Sequence, residues 1–320
     1  MHAAQPDLSV REGAVHVHLH RLGPQRSRDV LLVPGLGASP RAFGARPGRS
    51  LVSDLADAGL TPWAVDFQVS WRARSQGADA LLEGLAEGVA ALSRRPDAPG
   101  ASLAAVGHSL GGMLLLALAA GGSAFSHLVT LGAGLDFRLG RSPLPRLLSL
   151  APRGLPVMRL RVDRGGLPLR RLARIGAPLF GRGARLPVER DQFHPGTTHG
   201  TVVRTVVRDG VRDLPLPLLL DLSALFTARG LELGVMSVPL KDAIRSIAVP
   251  TLVVGGVQDR QCPIGAVRDM ASRIPGARLL EVGRSSMPGE GYGHVDLMTA
   301  TRAPEDVFDP VLDFLLGDGA

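Results

Sequence analysis

The chain has 320 residues, 45% of them hydrophobic, a formal charge of +7 and one cysteine, Cys262. That is enough apolar material for one large core or a core with an insertion, while a lone cysteine excludes an internal disulfide framework and cannot by itself build a metal site. No apolar run is long enough for a membrane-spanning helix, and the polar start, Met1 to Gly13, lacks the apolar centre of a secretory signal, so a cytoplasmic protein is expected.

In chain order, Val15, Val17 and Leu19 alternate with His16, His18 and His20, the period of a strand. The three histidines then share one face, which is read as the solvated face of an early edge strand rather than as a metal site. Val30–Val33 is a short apolar run ending at Pro34-Gly35-Leu36-Gly37, a buried strand meeting a turn. Leu51–Ala58 is predicted helical, Trp63–Phe67 strand, Ala80–Leu92 helix, Leu103–Val106 strand, Leu110–Ala120 helix and Leu128–Leu131 strand. From about Gly134 to Ile247 the pattern becomes rich in Pro, Leu and Arg and loses strand alternation. The earlier rhythm resumes with strand Thr251–Val254, helix Ile264–Arg273, strand Arg278–Val282 and a closing helix Pro304–Leu316. Strands alternating with helices imply an α/β fold with a mostly parallel, doubly wound sheet covered on both faces. A structureless loop of a hundred residues is improbable in such a domain. The expected organisation is therefore a core formed by 1–134 and 248–320, interrupted by a mainly helical cap at 135–247.

Gly107-His108-Ser109-Leu110-Gly111 fits the pattern G-x-S-x-G. In a chain with 40 glycines the pentapeptide is weak evidence on its own, and its context decides. A buried strand runs into it and an apolar helix runs out, as a nucleophile turn at a sheet edge requires. A serine hydroxyl needs a base, and His294, in Gly291-Tyr292-Gly293-His294 before the last helical segment, is the best placed of nine histidines. The base needs a carboxylate to hold its tautomer. Asp259 follows the strand Thr251–Val254 and completes a Ser109, Asp259, His294 order. Asp136 is the runner-up acid, and Asp296 is less favoured because it shares the loop of His294. Backbone N–H groups must receive the oxyanion. Leu110, directly after the serine, and Leu36, in the glycine-rich turn after Val30–Val33, are the expected donors. This chemistry needs no metal or organic cofactor.

The chain resembles the α/β-hydrolase family nearly throughout, outside the cap. The resemblance is carried by Leu31–Gly37, Gly107–Gly112, Val249–Asp259 and Tyr292–Leu297. The tail, from His294 through Pro304-Glu305-Asp306-Val307-Phe308, looks like the corresponding segment of acid lipases and polyhydroxyalkanoate synthases. Those synthases carry cysteine where this chain has Ser109, which favours hydrolysis over polymerisation, and haloalkane and epoxide relatives carry aspartate there. Pro34 stands where related enzymes often have histidine. The resemblance implies a serine esterase or lipase acting on a small-molecule ester or lipid. An acyltransferase on the same fold, and a non-catalytic ligand-binding protein with a retained pocket, stay open as alternatives. His108 is read as structural, Cys262 as a small buried residue, and His194 and His199 as cap histidines of unassigned orientation.

Between Asp136 and Asp191 thirteen arginines face four acids, so the net basicity of the chain resides in this one stretch. It lacks the interleaved aromatics of a nucleic-acid surface. Leu167, Leu169, Leu172 and Ile175 interleave with Arg170, Arg171 and Arg174, a pattern compatible with a solvated cap surface or with contact to an anionic membrane or lipid surface.

Overall fold

The computed structural model describes residues 7–12, 15–26, 28–69, 77–98, 103–139, 166–167, 169–183, 186–234 and 236–317. In chain order these form β1 (Leu8–Glu12), β2 (Val15–Arg21), β3 (Asp29–Val33), α1 (Leu51–Asp57), β4 (Thr61–Val69), α2 (Ala78–Ser93), β5 (Leu103–His108), α3 (Leu110–Ala120) and β6 (Phe125–Leu131). Next come β7 (Gly166–Leu167), α4 (Leu169–Gly176), α5 (Pro187–Gln192), α6 (Gly200–Asp209), β8 (Leu214–Pro215), α7 (Leu216–Leu222) and α8 (Leu240–Ala243). The chain closes with β9 (Thr251–Gly256), α9 (Ile264–Arg273), β10 (Arg278–Val282), α10 (Asp296–Thr299) and α11 (Asp309–Leu316).

Eight strands form one sheet in the order β1-β2-β4-β3-β5-β6-β9-β10. The first two pairings are antiparallel and the rest parallel. The central strands β3, β5 and β9 are buried along their whole length, because helices cover both faces of a parallel sheet. One apolar cluster joins the sheet to α2, α3 and α9, and a second joins the opposite face to α1 and α11. Helix α3 is apolar all round and has no exposed face to maintain.

Three expectations are corrected. The His16-His18-His20 strand is not an edge strand: β1, hidden in the polar sequence Leu8–Glu12, pairs outside it. The three rings lie half-buried on one face, with His18 Nδ1 at 2.8 Å from the Ser9 hydroxyl. The closing helix is split, with Pro304–Phe308 forming a wider π turn before α11. Pro310 has no N–H to return to Asp306, which removes one α-type hydrogen bond there. Strands β4 and β6 also begin earlier than their apolar runs, at Thr61 and Phe125.

In the stretch from 135 to 247 the described elements are short helices plus the two-residue pair β7–β8. Most of its arginine-rich part, 140–165, lies outside the described residues, as does the side chain of Leu167. No described helix is long and apolar enough to cross a membrane.

Candidate active site

β5 and α3 are separated by a single residue, Ser109. Its φ of 53° makes it the one non-glycine residue with positive φ among the described residues, and a turn this tight holds such strain only when its surroundings dictate it. They do so through two glycines. A Cβ on Gly111 would stand 2.1 Å from the Val33 carbonyl oxygen, and one on Gly107 would stand 2.5 Å from the Gly112 nitrogen. Neither neighbour can move, being backbone of β3 and α3. The Ser109 N–H donates to the Leu131 carbonyl at 2.8 Å, fixing the turn to β6.

His294 and Asp259 meet at the same edge of the sheet. The Nδ1 of His294 lies 2.7 Å from Oδ2 of Asp259, and both residues are buried. The other carboxylate oxygen, Oδ1, accepts from the backbone N–H groups of Gln261 and Cys262 at 2.8 and 2.9 Å. A carboxylate held this way can only accept, so Nδ1 of His294 carries the proton and Nε2 is left with a free lone pair. The runner-up, Asp136, is instead bound by Arg138 through Nε at 2.8 Å, and this guanidinium holds its carboxyl below the usual range. The geometry therefore brings Ser109, His294 and Asp259 to one edge and leaves Asp136 in a separate ion pair.

His108 supports this assembly from behind. Its Nε2 lies 3.1 Å from the His294 carbonyl oxygen, which can only accept, and the two rings meet at a 51° tilt with centroids 4.7 Å apart. Burial pushes the His108 ring down to about 3, so it is neutral and donates this one proton. Cys262 is buried and its thiol is pushed up by burial, which leaves it unreactive.

Ser109 and His294 open into a cavity of about 510 Å³ lined largely by apolar side chains, among them Leu172, Phe180, Phe193, Val207 and Met298. A smaller lobe of about 40 Å³, lined by Met113, Phe137, Leu225 and Phe226, shares Ser109, His294, Gln261 and Leu36 with it. Leu36 borders both lobes beside Ser109. Leu110 is the first residue of α3, where the helix provides no acceptor for its N–H. Leu36 and Leu110 line the smaller lobe together with Ser109, a position from which backbone N–H groups can receive negative charge on an oxygen.

The segment between β6 and β9 is fastened to both halves of this site, a feature with no local signature in the sequence. On one side, Arg212 N donates to Gly37 O at 2.7 Å, Ser39 N donates to Gly210 O at 2.8 Å, and Ala38 bridges Val211. Arg212 then grips Asp66 of β4 in a two-pronged pair at 2.8 and 3.1 Å. On the other side, the fully buried Asp296 accepts from Gly293 N at 2.8 Å, from His194 N at 2.6 Å and from the Thr198 hydroxyl at 2.5 Å. Gly293 adjoins His294, so Asp296 holds the histidine loop while anchoring the segment between β6 and β9. His194 reaches it through its backbone; the His194 ring instead contacts Thr197 and Ser286, and the His199 ring caps α6. Neither cap histidine lines the cavity.

The profile of the alpha/beta hydrolase family matches residues 30–309, most of the chain. The chain belongs to the alpha/beta hydrolase family. Membership supports a hydrolase. Among solved structures, this hydrolase-family chain is similar to the enol-lactonase from Burkholderia xenovorans LB400, with TM-score 0.60 and 17% identity over 97% of this chain and 100% of that one. It is similar to a thermophilic esterase from Thermogutta terrifontis, with TM-score 0.58 and 18% identity over 96% of this chain and 97% of that one. It is also similar to a bromoperoxidase from Bacillus anthracis, with TM-score 0.58 and 16% identity over 95% and 96% of the two chains. These likenesses concern the fold. No protein of curated function matches the chain.

Proposed function

We propose that this alpha/beta hydrolase cleaves carboxylic esters with an apolar acyl group. The observation that carries the reading is the convergence of a strained Ser109 and the His294–Asp259 pair on one apolar cavity. Ser109 Oγ attacks the ester carbonyl carbon while Nε2 of His294 takes its proton. Asp259 keeps the proton of Nδ1 in place and stabilises the imidazolium that forms. The Leu36 and Leu110 N–H groups receive the oxyanion. The protonated His294 then gives its proton to the leaving alkoxide, which departs as the alcohol. Water, deprotonated by His294, attacks the acyl-serine; the imidazolium returns that proton to Ser109 Oγ as the acid leaves, restoring the serine.

The larger lobe is assigned to the acyl chain and the smaller one to the near end of the alcohol, since a cavity of about 510 Å³ falls within the usual range for small-molecule sites. Each buried methylene contributes about 0.8 kcal/mol. A series of p-nitrophenyl esters should therefore show kcat/KM for the octanoyl ester above that for the acetyl ester by about tenfold or more. Free acid should be the product when an added alcohol acceptor is present. A flat or falling series would overturn the acyl assignment, and an acyl-alcohol product in place of acid would move the reading to acyl transfer.

A further inference from the structure

Large apolar side chains are exposed at nine positions among the described residues, and four of them fall in one short stretch, 172–188, that borders the cavity. These are Leu172, Ile175 and Leu179, at 61%, 80% and 60% exposure, and Val188 at 55%. Leu172 and Val188 also line the cavity, so the patch is continuous with its mouth. The same short stretch carries Arg170, Arg171, Arg174 and Arg182, all exposed. Helix α4 is thus divided. Leu169, Leu172 and Ala173 face the cavity, Ile175 stands beside them in solvent, and the three arginines of the helix take the remaining face.

We infer that this rim docks onto the surface of an anionic phospholipid bilayer, with the mouth of the cavity toward the lipid. Apolar side chains exposed next to a cavity gain from insertion among acyl chains, and the flanking guanidinium groups match phosphate headgroups in charge and geometry. The acids near the rim offset only part of this charge: Asp209 lies within electrostatic reach of Arg174, and the exposed arginines remain in excess. Asp209 is paired with Arg208, Asp213 accepts from the Arg170 backbone N–H, and Glu189 is buried with Oε1 on Gly181 N. The opposite end of the sheet differs. There Leu316 closes the last helix, where Arg28 is bound to the Leu315 carbonyl at 2.7 Å. The inference concerns binding and stands apart from the esterase reading, because vesicle association needs no turnover.

The test is sedimentation of the full chain with phosphatidylcholine vesicles, with and without about 30 mol% phosphatidylglycerol, across a salt series. Binding should require the anionic lipid and weaken by about tenfold or more between roughly 0.05 and 0.5 M salt. Each arginine at such a surface is worth about fivefold in binding. Arg171→Glu/Arg174→Glu should therefore bind about 25-fold more weakly or worse, and Ile175→Ser should also weaken binding. None of these three side chains lines the cavity, so hydrolysis of a short soluble ester should stay at the parent level. A directional probe follows from the buried state of the single cysteine. An environment-sensitive dye on Ile175→Cys should shift to the blue on anionic vesicles, and the same dye on Leu316→Cys should not. Equal binding to neutral vesicles, no binding, unchanged binding of the double variant, or equal shifts from both dye positions would each overturn the inference.

Discussion

Asp259→Asn is expected to lower turnover about 10⁴-fold, the effect of the same exchange in a serine-protease triad. The reason lies in how the carboxylate is held. Oδ1 accepts from two backbone N–H groups, those of Gln261 and Cys262, and only an oxygen can sit there. In the variant the amide oxygen takes that place and the amide nitrogen faces Nδ1 of His294. Two N–H groups cannot share that contact, so the ring moves its proton to Nε2 and presents a donor where a base is needed. The fold should be retained, because the exchange preserves shape. Asp136→Asn is the control: its partner is Arg138, and turnover should stay within a few-fold of the parent. Steady-state kinetics of the two variants decide the matter. Near-parental activity of the Asp259 variant together with loss in the Asp136 variant would reverse the assignment.

Asp296→Ala is expected to remove about 3 kcal/mol of stability or more, and with it most of the activity. Three donors, Gly293 N, His194 N and the Thr198 hydroxyl, would lose their acceptor inside the protein. Each buried donor left unsatisfied costs about 1–3 kcal/mol. The loss also frees the loop of His294 and unpins the cap. Burial pushes the Asp296 carboxyl up to about 7 despite these donors. The native state therefore keeps a proton across the window from roughly 3.9, where the unfolded residue titrates, to about 7, carried on Oδ1 and donated to Thr198 Oγ1, which turns its own hydrogen to Thr299. The unfolded state binds fewer protons in that window, so this group's contribution to stability is full at the acid end and is lost as pH rises to about 7. Urea unfolding of parent and variant at pH 5 and pH 8 should show the larger gap at pH 5. A variant as stable as the parent at both values would show that Asp296 is not the tie described here.

What was legible in the sequence was local or ordered along the chain. The turn at Ser109 could be read because β5 and α3 are near-continuous apolar runs on either side of it. Asp259 and His294 could be read because each follows a recognisable element and arrives in the right order. β1 escaped notice because Leu8-Ser9-Val10-Arg11-Glu12 is too short and polar to announce a strand, and its pairing with β2 supplies what its composition does not. The ties of the cap were illegible for another reason. His194 and Thr198 reach Asp296 across about a hundred residues, and Arg212 reaches Asp66 across 146, with no periodicity linking the partners. Asp296 shares the loop of His294, which disfavours it as the triad acid and lets it hold the loop. The segment between β6 and β9 is therefore joined by hydrogen bonds to both the Gly35–Ser39 turn and the histidine loop, while α4 keeps an exposed face.

Ser109 is the proposed nucleophile, and the whole reaction depends on it. A fluorophosphonate probe reacts with a serine only when a neighbouring base activates it and a site receives the phosphonyl oxygen. Peptide mass spectrometry of the labelled protein should place the adduct on Ser109 alone, and Ser109→Ala should take up none. An unlabelled parent protein, or an adduct that persists in the Ser109 variant, would contradict the assignment and return the chain to the reading of a hydrolase fold that binds without catalysis.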